Sequence, residues 1–415
     1  MSHTLDELMR DSLDHCVKCT ICETHCPVAA ATPLFPGPKY VGPQAERYRS
    51  PDGPSPDHSL DYCSSCGICT QVCPQGVKIA EINSQARARL KEDHGAPLRD
   101  KLIARPTLAG RLGSPVAPLA NWSLRVRPLR VVMEKTLKIH RDAPLPAWAG
   151  GRFNRWARRN GHKGRPDPAR ANRTVVYFHG CGVDYYEHET ARATMAVLRH
   201  QGFDVIVPRQ GCCGLPLQSN GLFDDARGYV RRLARQLAPY ARAGHDIVSS
   251  STSCGLMLKR EAHEILGVDD DDLRAVRERL YDVMEYLEML HERGELKTDD
   301  LEPVDLDVPY HAPCQQRGHG IGTPAMRLMA LIPQLRPHQI DATCCGVAGT
   351  YGLKREKYDI AMAVGGPVFA GVRESGAELS ACDSETCRWW ISDVTERPSV
   401  HPVELLRRSY RIPLE

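Results

Sequence analysis

At 415 residues and a net charge of +3, the chain is too long for a lone small metal-binding module and has the length for two or three domains with sizeable cores. No run approaches the roughly eighteen consecutive apolar residues of a spanning helix, so any membrane contact is expected to be peripheral. Seventeen cysteines, with no apolar leader after Met1, argue against a disulfide scaffold and for a reducing, cytoplasmic setting.

Residues 1–15 set Leu5, Leu8, Met9 and Leu13 on one face of a short amphipathic helix. It leads into Cys16, Cys19, Cys22, Cys26 and Pro27, a run repeated as Cys63, Cys66, Cys69, Cys73 and Pro74. Both read C-x2-C-x2-C-x3-C-P, whereas structural zinc sites pair C-x2-C knuckles. An iron–sulfur cube takes four thiolates, and in two-cluster ferredoxins the fourth cysteine of each run serves the other cluster. The spacing therefore predicts one 4Fe-4S cluster on Cys16, Cys19, Cys22 and Cys73 and a second on Cys63, Cys66, Cys69 and Cys26. Between the runs lie 36 residues containing FPGPKYVGPQAER and a Pro-rich polar stretch from Ser50 to His58. After Pro74, Ile79, Ile82, Ala86 and Leu90 predict an amphipathic helix over Val77 to Lys91.

Residues 97–170 carry seventeen Lys and Arg against four Asp and Glu, a local charge of +13. Trp122, Trp148 and Trp156 sit among the arginines, and Trp122 to Leu137 reads as one amphipathic stretch. Such a segment either wraps neighbouring lobes with its charges paired or solvated, or docks on a membrane surface or an acidic partner. No nucleic-acid-binding motif accompanies the charge, so a nucleic-acid partner is not expected.

From Arg173 the chain repeats itself. The first unit has the strands VVYFHG, FDVIVP and DIVSSS, with Cys181, the Cys212-Cys213-Gly214 turn and Cys254 following strand ends. The second has VPYHAP before Cys314, then Cys344-Cys345-Gly346, then GAELSAC before Cys387. Single cysteine and pair are separated by 30 and 29 residues, pair and last cysteine by 40 and 41. Equal spacing predicts duplication. Alternating strands and helices predict α/β lobes with parallel sheets, whose ligands gather beyond the strands' carboxyl ends. Cys181, Cys212, Cys213 and Cys254 are expected to hold metal in one crevice, and Cys314, Cys344, Cys345 and Cys387 in another. The glycine after each pair is expected to let the backbone approach the metal centre. Between the units, Asp269 to Asp272 read as the capped start of a helix with Leu273, Val276, Leu280, Val283, Leu287 and Leu290 on one stripe. Consecutive aspartates without a loop glycine do not make a calcium site. His179 and His311, just before the lobe cysteines, read as satisfied structural groups, with a hydrogen bond to sulfur or proton relay as the alternative.

The expected fold is thus α+β and multidomain. It comprises an α-helical two-cluster ferredoxin module at 1–96, a basic connector at 97–172, and duplicated α/β CCG lobes at 173–300 and 301–415.

This arrangement resembles the heterodisulfide-reductase-like CCG-domain iron–sulfur subunits. That group includes the C subunits of anaerobic glycerol-3-phosphate dehydrogenases and the glycolate oxidase iron–sulfur subunits. FPGPKYVGP, FHGCGVDYYEHE, CCGLPLQSNG, SSTSCG, YHAPC, CCGVAGTYGLKRE and SETCRWW carry the resemblance across most of the chain. It implies a subunit held peripherally on the cytoplasmic face of the membrane, passing electrons from a flavoprotein dehydrogenase subunit to quinone. Further iron–sulfur centres are expected in the lobes. Related reductases supply five cysteines per lobe, ending in C-x2-C; here Ser251 and Ser384 stand at one of those positions and Cys382 is displaced by two residues. No strand-to-helix G-x-G-x-x-G fingerprint occurs, because Gly318, Gly320 and Gly322 follow Cys314 instead, so neither flavin nor NAD is expected in this chain. The alternatives are a heterodisulfide or thiol-disulfide reductase subunit, the iron–sulfur subunit of a 2-hydroxy acid (glycolate or lactate) oxidase, or a basic scaffold using metal only to fold. No catalytic residue can be named from the sequence.

Overall fold

The computed structural model of the chain describes residues 11–49, 57–162, 164 and 173–414. Leu5, Leu8 and Met9 of the expected first helix, and most of the Pro-rich stretch, lie outside the described residues. Leu13 is buried against Cys22, Val77, Ile79 and Ile82. Beyond residue 173, short apolar runs form two four-stranded parallel sheets. The first contains β1 (Thr174–Phe178), β2 (Asp204–Ile206), β3 (Asp246–Ser249) and β4 (Leu280–Asp282), in the order β2-β1-β3-β4. The second contains β5 (Leu306–His311), β6 (Leu335–Gln339), β7 (Ser380–Cys382) and β8 (Ser399–Val400), in the order β6-β5-β7-β8. The fold is α+β, with a helical N-terminal region ahead of the two sheets.

One sequence expectation fails at a strand. The apolar stripe from Leu273 to Leu290 is two helices, Asp271–Arg279 and Val283–Glu292, split by β4, which pairs with β3 through Ile247 and Leu280. Helical spacing concealed the break, but Asp282 and Glu285 form a capping box that restarts the helix and marks it. Asp270 does cap the first of these helices, accepting from the Leu273 N–H at 3.0 Å. In the second sheet β6, LRPHQ, carries Pro337 and has no strand-like alternation; it survives because it is an edge strand, where a missing N–H is tolerated.

The helix Ile79–His94 is not the one-faced amphipathic helix its spacing predicts. It is buried on several sides: Ile79 and Ile82 pack with Leu13 and Cys22, Ala86 with the second lobe, and Ala88 with the first. Arg87 donates to Ser65 Oγ (2.6 Å), to Ser219 O of the first lobe (3.1 Å), and to the carbonyl of Cys63. One helix thereby ties the cysteine-rich region to both lobes. A single hydrophobic core also joins the two sheets, running from Val175, Tyr177 and Val248 to Val308, Tyr310 and Leu405.

The basic segment folds as the helices Leu98–Ile103, Pro106–Gly113, Ala117–Arg125, Arg127–Leu137 and Phe153–Arg159. The expected stretch from Trp122 to Leu137 is broken at Val126, which is extended (φ −82°, ψ 106°), because Pro128 fits only the first turn of a new helix. Part of the charge holds this segment to the lobes. Arg99 pairs with Glu356 at 2.8 Å, Arg105 with Asp225, and Arg152 with Asp184 at 2.8 Å. Asp100 and Lys354, both buried, meet at 3.0 Å. Burial acts to raise the Asp100 carboxyl, but Lys354 and Arg99 outweigh it and hold it below its ordinary range. Removing either partner of a buried pair costs about 3–5 kcal/mol.

Candidate metal and electron-transfer site

The two cysteine runs have the same backbone. Lys18 and Thr20 in the first, and Ser65 and Gly67 at the matching places in the second, all have positive φ, between 58° and 77°. Left-handed residues alternating with right-handed ones curl a loop so that its N–H groups and thiols face one centre. Cys16, Cys19, Cys22 and Cys73 line one small cavity. Cys26 instead lies with Cys63, Cys66 and Cys69, and its sulfur accepts from the Ala29 N–H at 3.5 Å. Burial, reinforced by Glu23 and the neighbouring thiols, pushes Cys22 up to about 11, and burial does the same to Cys26. Cys66 and Cys69 are raised further, by desolvation and by the thiols gathered around them. Thiols gathered where burial disfavours the anion are donors awaiting a cation, and four soft donors per group fit an iron–sulfur cluster.

In the lobes Cys181, Cys212, Cys213, Cys254, Cys314, Cys344, Cys345 and Cys387 follow the carboxyl ends of strands, while Cys382 is the last residue of β7 itself. Cys181 lies 3.6 Å from Cys212, and Cys213 lies 3.2 Å from Cys254. In the second lobe Cys345 lies 2.9 Å from Cys387, with Cys314 hydrogen-bonded to Cys344. The first cysteine of each pair gathers donors: Cys212 is lowered by Cys181, Cys213 and the Gly214 N–H, and Cys344 by Cys314, Cys345 and the Gly346 N–H. The N–H groups of Gly214 and Gly346 donate to the sulfurs of Cys212 and Cys344 at 3.5 and 3.3 Å. At Gly346 (φ +89°) a Cβ would also stand 1.9 Å from Ala361 O and 3.0 Å from Gly365 N, so the missing side chain admits the helix Tyr358–Glu374.

The two lobe sets also do not occupy separate crevices. Cys181, Cys213 and Cys254 of one lobe and Cys314, Cys344, Cys345 and Cys387 of the other line the same cavity, of about 300 Å³. The reason is the shared core, which turns the carboxyl edges of both sheets toward one another. Ser251 Oγ donates to Glu385 Oε1 across the gap at 2.9 Å. Cys66 lines the cavity as well and lies close enough to Cys344 and Cys314 to raise the cost of charging them together.

The cavity is completed by groups the sequence did not single out. Leu102, Ile103 and Pro106 come from the basic helices, and Tyr186 and Trp389 from the lobes. Glu261 also lines it, with Oε2 buried and unpartnered; burial, helped by Glu81 and Glu264, pushes its carboxyl up to about 8. Glu261 ends a π-helical turn, Met257–Glu261, which periodicity cannot reveal. Trp148 is the one tryptophan of the basic segment found there, its Nε1 donating to Ala109 O at 3.2 Å. His179 is a satisfied structural group: Nδ1 meets Gly180 O at 2.7 Å and Nε2 faces the Asn154 amide at 3.4 Å.

These sites and sheets define an iron–sulfur protein with a two-cluster ferredoxin region and paired cysteine-rich lobes. Residues 12–77 match the 4Fe-4S dicluster domain family, and residues 175–259 and 308–392 each match the cysteine-rich domain family. The chain is 36% identical over 401 residues to the C subunit of the anaerobic glycerol-3-phosphate dehydrogenase of Escherichia coli, covering 96% of this chain and 98% of that one. It belongs to that family and is an electron-transfer subunit of this type. More distant are the B subunit of the fumarate reductase (CoM/CoB) of Methanothermobacter marburgensis and the lactate utilization protein A of Geobacillus kaustophilus. The first is 29% identical over 56% of this chain and 44% of its own length, the second 28% over 43% and 74%.

Proposed function

We propose that the chain relays electrons from a flavoprotein dehydrogenase, of the kind that oxidises glycerol 3-phosphate, to quinone at the inner face of the cell membrane. The observation that carries this reading is the line of thiols. It begins at exposed Cys19, crosses the two sets of the N-terminal region, and ends with Cys66 facing Cys344 and Cys314 at the cavity. In this reading Cys16, Cys19, Cys22 and Cys73 hold one 4Fe-4S cluster, Cys63, Cys66, Cys69 and Cys26 the other, and the lobe cysteines further metal. The bound clusters supply one-electron carriers; the chain's own residues set their order and enclose the acceptor. Leu102, Ile103, Trp148, Tyr186 and Trp389 offer a quinone ring an apolar slot. Glu261, with its raised carboxyl, holds a proton at neutral pH for a reduced quinone.

The basic helices support the membrane part of the reading. Nine of the fifteen exposed large apolar side chains among the described residues fall between Leu98 and Val132. Lys101, Arg111, Arg125, Arg127, Lys135 and Lys138 are exposed with them. An apolar face with a basic rim suits the interface of an anionic bilayer. Leu102 and Pro106 stand on the same helices and wall the cavity, so quinone would enter from the lipid side.

The test is anaerobic isolation of the tagged chain from gently solubilised membranes. A flavoprotein is expected to accompany it, and glycerol 3-phosphate to drive reduction of a quinone analogue through the pair. A preparation without flavoprotein that reduces disulfides unaided would overturn the reading.

A further inference from the structure

The two lobes share their topology but not their donors. Phe178, the last residue of β1, is register-paired with Ser249 of β3. At the equivalent place in the second sheet, His311 ends β5 and is paired with Cys382 of β7. Each of Phe178 and His311 stands three residues before its lobe's single cysteine, so the comparison is between like positions. Where the first lobe has a phenylalanine beside a serine, the second has an imidazole beside a thiol.

His311 is wholly buried; its ring meets no nitrogen or oxygen partner among the described residues and faces the Cys387 sulfur instead. A buried imidazole set against a thiol is poorly satisfied by the protein alone, and a metal that both can bind completes it. Its ring nitrogen and the sulfurs of Cys345 and Cys387 all lie within 4.8 Å of one another, and His311 lines the same cavity as Cys314, Cys344, Cys345 and Cys387. Imidazole with thiolates is a donor set for iron or zinc.

We propose that His311 is a ligand of the second lobe's metal centre, which is therefore a mixed imidazole–thiolate site, while the first lobe's centre is bound by thiolates alone. This rests on the reading that the lobes hold iron–sulfur centres. Its consequence is asymmetry. With His311, Cys345 and Cys387 gathered as one donor group, the neutral imidazole takes a coordination position that a thiolate holds in the first lobe, which leaves the centre less negative and raises its reduction potential, as histidine ligation does in other iron–sulfur proteins. Cys66 faces the second lobe, so electrons leaving the N-terminal region would meet the more oxidising of the two lobe centres first.

The experiment uses the full chain, reconstituted anaerobically with iron and sulfide and carrying 15N-labelled histidine, read by pulsed electron paramagnetic resonance and metal analysis. The labelled protein is expected to show the coupling of a directly bonded histidine nitrogen. His311→Phe, which installs the first lobe's residue, should abolish that coupling and weaken metal retention against a chelator about 10-fold or more. His311→Cys should retain the metal while the nitrogen coupling is absent, a rescue that a purely structural histidine does not predict. A metal-loaded second lobe without nitrogen coupling, or a coupling that persists in His311→Phe, overturns the ligand assignment alone. Absence of the metal lost on Cys344→Ser and Cys345→Ser substitution overturns the lobe-centre reading, and this inference with it. Zinc in that lobe with one nitrogen in its X-ray absorption shell supports His311 as a ligand but overturns an electron-carrying role for the site.

Discussion

Cys66→Ser will stop electrons at the first cysteine set: with the partner dehydrogenase present, quinone reduction should fall at least about 100-fold. Losing a group that merely supports a metal ligand already costs up to about 100-fold, and Cys66 is proposed as a ligand itself. Its position makes the loss specific. Cys66 is at once a member of the set with Cys26, Cys63 and Cys69 and a wall of the cavity beside Cys344. The signal assigned to Cys16, Cys19, Cys22 and Cys73 should still appear on adding substrate, because that set lies at the exposed end and shares no proposed ligand with the other. The lobe centres should stay oxidised on the timescale of turnover yet reduce with dithionite. Undiminished quinone reduction in Cys66→Ser would mean that electrons reach the lobes by another route.

The second large effect concerns the membrane. Leu112, Leu119 and Trp122 are 69%, 64% and 58% exposed on adjacent helices. Fully burying one such side chain contributes roughly 1.5–3 kcal/mol, and each basic group near an anionic surface about 1 kcal/mol, the latter fading with salt. Glutamate at all three positions should therefore weaken binding to anionic vesicles by more than about 1000-fold. A high-salt wash of the unaltered protein should release only part of it. Both measurements use vesicle sedimentation, with far-ultraviolet circular dichroism to show that the variant is folded. Equal sedimentation of variant and unaltered protein would rule this face out as the membrane contact.

The parts of the molecule that were legible in advance are those where chemistry dictates spacing. The two C-x2-C-x2-C-x3-C-P runs and the duplicated CCG turns announced themselves because thiolates must reach a common point from short loops. What stayed hidden is tertiary. The stripe through Leu280 obeys helical periodicity although Leu280 is in β4, since one buried strand residue satisfies either pattern. The helix Ile79–His94 looks one-faced in sequence because Arg87 reads as a solvent charge, yet it is buried and directs its donors to carbonyls of the second cysteine loop and to Ser219 O. That both lobes would face a single cavity depends on a core shared between distant segments, such as Tyr177 and Tyr310, which no local pattern encodes. The difference between His179, satisfied by Gly180 and Asn154, and His311, which faces the Cys387 sulfur, likewise exists only in three dimensions.

The proposed quinone site, between the lobes and behind the basic helices, can be tested with a photoreactive quinone analogue. The chain is illuminated with the analogue in its native membrane complex under anaerobic conditions, then digested and mapped by mass spectrometry. Label is predicted on the peptides bearing Leu102, Trp148, Tyr186 and Trp389, which line the cavity, and it should be displaced by excess unreactive quinone. Displaceable label confined to the cysteine loops around Cys19, or to the partner subunits alone, would contradict the central claim.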